Sequence, residues 1–223
     1  MQQKNTGANK NYILFDLDGT LTDPKIGITN SVQYALNQVG IDVENTDDLC
    51  AFIGPPLRDS FKKYYGFDDA GAEAAVASYR VYFQEKGIYE NAIYNGITEL
   101  LEQLKAQQKT LFVATSKPTV YAVEILKHFH IDHYFSFISG SELDGRRSKK
   151  SEVIRYALDR MKLSDLNDVI MVGDREHDII GAKEVGILSV GVLFGYGDYD
   201  ELRKSGADFI VANPAELAEC LLG

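Results

Sequence analysis

Tyr12-Ile13-Leu14-Phe15-Asp16-Leu17-Asp18-Gly19-Thr20-Leu21-Thr22 runs from an unbroken apolar stretch into two carboxylates and a glycine. Consecutive apolar residues bounded by polar ones predict a strand buried on both faces. Such strands belong to parallel sheets covered by helices. The two aspartates lie at i and i+2, so on an extended chain their side chains point the same way. Buried side by side they repel, and a cation or a shared proton is expected between them. The plainer reading of Asp-x-Asp alone is a polar strand end before a turn. A calcium loop fits less well, because it places acidic or amide groups at three alternate positions before its glycine. Here Gly19 follows the second Asp directly and Thr20 takes the third place.

Outward from this stretch the pattern changes twice. From about Ile26 to Phe83 it is helical, with Ile28, Val32, Ala35, Leu36 and Val39 at helical spacing and Gly40 placed to stop that helix. Ala70 to Tyr82 is a second, alanine-rich helix, and no strand pattern falls in this stretch. After Gly96, helices and strands alternate. Helices are expected over Thr98–Gln107, Thr119–Phe129, Lys150–Met161, Asp178–Val185 and from Pro214, and strands over Thr110–Ala114, Phe135–Ser139, Asp168–Val172, Leu188–Val192 and Asp208–Val211. The expected fold class is therefore α/β: a Rossmann-like parallel sheet core, interrupted after its first strand by an all-α subdomain of roughly 70 residues. The expected division is core over 11–23 and 92–223, helical insertion over 24–91, and a flexible tail over 1–10. In such sheets ligands bind beyond the carboxyl ends of the strands, so the polar residues there are the candidates for chemistry.

Composition narrows the partners. The chain of 223 residues is 45% hydrophobic, enough for a sizeable core. Its net charge of −10 argues against a nucleic-acid partner, while a bound cation and a few local Lys or Arg can still make one cleft attractive to a small phosphorylated metabolite. The longest apolar runs, Tyr12–Phe15 and Val169–Val172, are too short to span a bilayer, so no membrane partner is expected. The polar Met1–Lys10 segment lacks the apolar stretch of a signal peptide. With Cys50 and Cys220 far apart and read as free thiols, a cytoplasmic location is expected. A monomer or homodimer is expected. His128, His130 and His133 have no partners at metal-ligand spacing and are read as structural or surface residues.

Three further strand ends carry polar residues. Thr115-Ser116-Lys117-Pro118 offers hydroxyls and backbone N–H groups entering a helix, a cradle for phosphate, although capping of that helix explains the same residues. Arg146-Arg147-Ser148-Lys149-Lys150 reads in part as a solvated charge run. Yet Lys150 opens a helix, where the dipole disfavours a cation unless an anionic partner lies close. Val172-Gly173-Asp174-Arg175-Glu176-His177-Asp178 again brings two carboxylates to a strand end, with Asp178 also placed to cap its helix.

The ordered set of Asp-x-Asp-Gly-Thr-Leu, an apolar strand ending in Thr, a Lys, and Gly-Asp-x-x-x-Asp resembles the motif set of haloacid dehalogenase-like hydrolases, from Tyr12 onward. The insertion after the first motif resembles the helical C1-type cap of the phosphoglycolate phosphatase-like branch. Gly54-Pro55-Pro56-Leu57 resembles a cap turn of phosphoglycolate phosphatases and of bacterial phosphatases labelled 5′-nucleotidases.

The resemblance implies a phosphoric monoester hydrolase with a Mg²⁺ cofactor. Asp16 is the implied nucleophile and Asp18 the general acid and base. Asp16, the backbone carbonyl of Asp18 and Asp174 are the implied metal ligands, with Asp178 outside them. Thr115, the Ser116 N–H and Lys150 are the implied holders of the phosphoryl oxygens. Lys149 is the neighbouring candidate; Lys150 is preferred for its spacing to Glu152-Val153-Ile154. Ser116 stands where Asn is frequent in the family, and the usual Lys-Pro of the third motif is absent. Arg58 and Lys62, one helical turn apart in the insertion, are candidates to meet an anionic substrate tail or, equally, a solvated face. A phosphomutase of the β-phosphoglucomutase kind is the alternative enzyme. A phospho-accepting signalling module is the non-enzymatic alternative, though such modules are shorter and lack a cap.

Asp16→Asn is expected to abolish turnover of an aryl phosphate with an unchanged circular dichroism spectrum, since the amide keeps the shape and loses the nucleophile. Near-normal turnover by this variant would remove Asp16 from the chemistry.

Overall fold

The computed structural model describes residues 7–223. In chain order its elements are β1 (Tyr12–Phe15), β2 (Thr22–Asp23), α1 (Lys25–Asn37), α2 (Leu57–Tyr65), α3 (Asp69–Tyr82), β3 (Ala92–Ile93), α4 (Ile97–Ala106), β4 (Thr110–Pro118), α5 (Thr119–His128), β5 (Phe135–Ser141), α6 (Lys150–Met161), β6 (Val169–Gly173), α7 (Glu176–Val185), β7 (Leu188–Val192), α8 (Tyr199–Ser205), β8 (Phe209–Val211) and α9 (Pro214–Leu222). The chain divides into two units, one comprising Met1–Leu21 with Ile93–Gly223, the other Thr22–Ala92.

The first unit is a six-stranded parallel sheet in the order β5-β4-β1-β6-β7-β8 with flanking helices. Ile13, Leu14 and Phe15 are fully buried because β1 is central, with helices to cover both of its faces. On one face Leu14, Phe112 and Met171 pack with Val153, Ile154, Ala157 and Leu158 of α6 and Ala182 of α7. Each of the larger of these side chains, the alanines apart, contributes about 1.5–3 kcal/mol of burial free energy.

Register then decides where the polar residues fall. Phe15 pairs with Val113 on one side and Val172 on the other. The Asp16 amide continues the ladder, donating to Val172 O at 2.9 Å. The ends of β1, β4 and β6 thus lie together. From β1 the sheet grows to β4 and β5 on one side and to β6, β7 and β8 on the other, the reversal point at which open α/β sheets bind ligands.

The second unit is helical apart from its two ends, where the two-residue strands β2 and β3 pair with each other, so the insertion expected to be all-α begins and ends in a short sheet. Asp68 caps α3, its Oδ1 accepting from Gly71 N at 2.7 Å, and Gly66 ends α2 with a left-handed φ of 66°. Phe52, Phe61 and Phe67 form a ring cluster, with Phe52 and Phe61 centroids 4.9 Å apart. The helix expected to run to Gly40 ends at Asn37, because Gly40 N and Ile41 N turn back to Asn37 O and Leu36 O. Arg58 reaches Asp69 and Glu73, and Lys62 reaches Asp69 at 2.6 Å. The cations proposed for a substrate tail therefore bridge α2 to α3.

Most other boundaries agree with the sequence pattern within two residues, with β4 longer by four. Three short pieces had no periodic signal: β2, β3 and α8. Of the tail expected over 1–10, residues 1–6 lie outside the described residues. Gly7–Asn9 forms a 3₁₀ turn, and Lys10 Nζ donates to Asn167 O at 2.5 Å. Cys50 and Cys220 are free thiols. Among the described residues no helix is long and apolar enough to cross a membrane.

Gly27 of α1 lies so close to the π turn Phe83–Gly87 that a Cβ there would fall on the Gly87 carbonyl oxygen. Gly27→Ala is expected to destabilise the helical unit by about 1–3 kcal/mol through overpacking. Hydrogen exchange should report faster opening across α1 and α3 with β1, β4 and β6 unchanged; unaltered protection in α1 would contradict the close approach.

Candidate active site

Lys150 resolves the charge conflict noted at the start of α6. Its Nζ lies 2.8 Å from Asp16 Oδ1 and 2.7 Å from Asp178 Oδ1, and donates to Ala114 O at 3.1 Å. The two carboxylate oxygens are at ion-pair distance but off the hydrogen-bond angle. The Lys150 side chain is 3% exposed. Burial opposes its charge, but the Asp16 and Asp178 carboxylates outweigh this and raise its pKa. Gly181 of α7 makes the room: a Cβ there would stand 2.8 Å from Lys150 Cβ. The neighbouring Lys149 is exposed, so the geometry selects Lys150 as the lysine of the cluster.

Asp174 follows β6 and is fully buried. Its Oδ2 accepts from Tyr196 N at 2.8 Å, and Thr20 Oγ1 donates to its Oδ1 at the limit of 3.5 Å. Gly19 has a φ of +83°, and a Cβ on it would fall on the Asp174 carboxylate; only glycine suits both demands. Asp178 has a second contact: Oδ2 accepts from Arg175 N at 3.1 Å. The capping role of Asp178 and its place in the site are therefore compatible.

Asp16, Asp174 and Asp178 each offer a carboxylate oxygen within 4.8 Å of the others, the only such grouping among the described residues. His128, His130 and His133 take no part in it. Burial, then the Asp178 and Asp16 charges, push Asp174 well up. Burial likewise raises Asp178 to about 6, against the lowering effect of Lys150. Three buried carboxylates cluster with one buried ammonium, which lies against two of them, and Asp16 Oδ1 and Asp178 Oδ1 lack hydrogen-bond partners. Hard oxygen donors in excess over positive charge are the donor set of a divalent cation such as Mg²⁺.

Asp18 stands apart from this group. Its Oδ2 accepts from Lys117 Nζ at 2.6 Å in a buried ion pair. Burial raises its pKa, opposed by Lys117. Thr115 is buried, with Oγ1 accepting from Lys117 N at 3.2 Å, and Ser116 O accepts from Ser141 Oγ at 2.8 Å. Neither Thr115 nor Ser116 caps α5, whose N-cap is Pro118, so the capping explanation of these hydroxyls falls away.

The rest of the basic run goes elsewhere. Arg146, Arg147, Ser148 and Lys149, with Arg155 and Tyr156, line a separate, open surface depression. Three residues with a part in the site had been given none by the sequence pattern: Lys117, Tyr196 and Glu201. Glu201 Oε1 accepts from Arg175 Nε and from Glu176 N, both at 2.8 Å, tying the Asp174–Asp178 turn to α8. Asp198 and Glu201, three apart before Leu202, are the signature that marks the start of α8.

The pattern of the family of haloacid dehalogenase-like hydrolases matches residues 13–192. A 5′-nucleotidase of Pseudomonas aeruginosa is 50% identical over 209 residues, 94% of this chain and 94% of that protein. The tyrosine-protein kinase PtkA of Mycobacterium tuberculosis is 37% identical over 217 residues, 96% of this chain and 74% of its own. The crystal structure of a predicted phosphatase from Clostridium acetobutylicum superposes with a TM-score of 0.92 at 50% identity, covering 94% of this chain and 97% of that one.

Asp174 and Asp178 have raised pKa values in the folded chain. The stability they lend is therefore largest when they are protonated and is lost as pH rises through about 6 for Asp178. A divalent cation held by these carboxylates would compete with those protons. The rise in Tm on adding Mg²⁺ is expected to be several degrees at about pH 8 and much smaller at about pH 5.5. Equal rises at both would place the ion somewhere other than these carboxylates.

Proposed function

Since the chain belongs to the haloacid dehalogenase-like hydrolase family and is a phosphoric monoester hydrolase, we infer that it is a Mg²⁺-dependent phosphatase of small phosphomonoesters, working through an aspartyl-phosphate on Asp16. The observation that carries this reading is the pairing of two aspartates, two residues apart, with two different buried lysines: Asp16 with Lys150 and Asp18 with Lys117.

Asp16 and Asp174, with the Asp18 carbonyl, would hold Mg²⁺, which supplies charge neutralisation at the phosphoryl group. Asp178 would orient this set through its contact with Lys150. Asp16 attacks phosphorus, and Asp18 gives its proton to the departing alkoxide. Asp18 then takes a proton from water as water attacks the aspartyl-phosphate, releasing inorganic phosphate and restoring Asp16. Lys150 and the hydroxyl and amide groups at Thr115 and Ser116 offset the charge on the transferring oxygens. The helical unit serves as a C1-type cap, which selects small phosphorylated metabolites.

For substrate class, the 50% identity to a 5′-nucleotidase favours 5′-nucleoside monophosphates over phosphoglycolate. The test is a panel of nucleoside monophosphates, phosphoglycolate and β-glucose 1-phosphate, assayed for phosphate release with Mg²⁺ and after chelation. The expected result is kcat/KM highest for a nucleoside monophosphate and loss of turnover on chelation. Conversion of β-glucose 1-phosphate to the 6-phosphate would instead support the mutase. A single phosphorylation without further turnover would support the signalling module.

A further inference from the structure

Lys117 enters the site through an irregularity of β4. Ala114 pairs with Ser139 and Pro118 with Ser141, so Thr115, Ser116 and Lys117 stand opposite Gly140 alone. Bulges of this kind re-aim side chains beside active sites. Several contacts hold this one. Lys117 N donates to Thr115 Oγ1, Ser141 Oγ to Ser116 O at 2.8 Å, and Thr119 Oγ1 to Ser141 O at 3.3 Å. Gly140 lies so near that a Cβ on it would strike the Lys117 carbonyl oxygen.

The bulge delivers the Lys117 ammonium to Asp18 Oδ2 at 2.6 Å, with side-chain exposures of 6% and 11%. One oxygen of Asp18 is thereby committed. The other, Oδ1, is buried and has no hydrogen-bond partner. A carboxylate so gripped has one rotamer and one oxygen available for work. Asp16, by contrast, is held by Lys150, from a different segment.

We propose that Lys117 is a positioning residue for Asp18: it clamps Oδ2 so that Oδ1 is presented to the leaving oxygen in the first displacement and to the attacking water in the second. This rests on the reading of Asp16 as nucleophile and Asp18 as general acid and base. In the second step water oxygen bonds to phosphorus, the bond from phosphorus to Asp16 oxygen breaks with its electron pair returning to Asp16, and the water proton passes to Asp18 Oδ1. Inorganic phosphate and a free Asp16 carboxylate result. Without the clamp, Asp18 turns in its pocket and this step slows most, because here Asp18 must orient a small, freely rotating water as well as take its proton.

The test compares Lys117→Met, Lys117→Arg and Asp18→Asn in the full chain, with steady-state kinetics on an alkyl phosphate and quench-flow measurement of the hydroxylamine-labile phosphoenzyme. Lys117→Met is expected to lower kcat by roughly 10- to 100-fold, in line with loss of a supporting contact to a working residue. KM should change little and phosphoenzyme should accumulate in the steady state. Lys117→Arg should recover much of kcat. Gly140→Ala, which disturbs the bulge from β5, should shift the phosphoenzyme fraction in the same direction. Accumulation in Asp18→Asn but not in Lys117→Met would overturn the clamp and leave the role of Asp18 standing. No loss of turnover in Asp18→Asn would overturn the role of Asp18 itself. A raised KM with unchanged kcat and phosphoenzyme in Lys117→Met would make Lys117 a substrate-binding residue and also defeat the proposal.

Discussion

A single ammonium group, Lys150 Nζ, stands between carboxylates brought from the ends of two different strands. Asp16 arrives from β1 and Asp178 from the helix after β6, and both oxygens lie within 2.8 Å of it. Without that cation the two carboxylates and the nearby Asp174 form a like-charged group with almost no water. Removing one partner of a buried ion pair typically costs about 3–5 kcal/mol, because the charge left behind is uncompensated. The surroundings are shaped to keep this arrangement. Gly181 admits the lysine stem, Gly19 admits the Asp174 carboxylate, and Gly195 approaches Asp174 too closely for any side chain of its own.

The two aspartates of the first motif are nearly neighbours in sequence, yet their environments divide them. Asp16 shares a lysine with Asp178 inside the group suited to a metal. Asp18 has its own lysine and lies outside that group. Separate partners give two chemically identical side chains unlike surroundings, which is what the proposed mechanism asks of them: one to attack and one to move protons. The division depends on the sheet: Lys117 comes from the bulged end of β4, and Lys150 from the helix that follows β5.

The fold and most of the site were legible because they rest on long, strongly patterned signals. Tyr12–Phe15, ending in acidic residues and glycine, read as a buried strand, and the alternation after Gly96 implied a parallel sheet. Asp16, Asp174 and Asp178 were marked as polar residues at strand ends, while the preference for Lys150 over Lys149 came from the family resemblance. The residues missed are those whose meaning is set by tertiary register. Lys117 looked like part of a helix entrance, and only the bulge against Gly140 turns it toward Asp18. Tyr196 acts through its backbone amide, which no side-chain pattern marks. The helix α8 is short, and its cap residues Asp198 and Glu201 were its one readable sign. Lys149 and Lys150 were separated by helix phase: the first is exposed and the second faces the carboxylates.

The central strand of the sheet is also its most distant in sequence from both neighbours. Tyr12 pairs with Thr110 and with Val169, while the helical unit between them is continuous over Thr22–Ala92. On a ribosome, local helices form early and long-range parallel pairing forms late. During synthesis Ile13, Leu14 and Phe15 therefore wait unpaired through the emergence of the whole helical unit and well beyond it. Those three apolar side chains gain their strand partners only when Thr110 to Val113 and then Val169 to Val172 have been made.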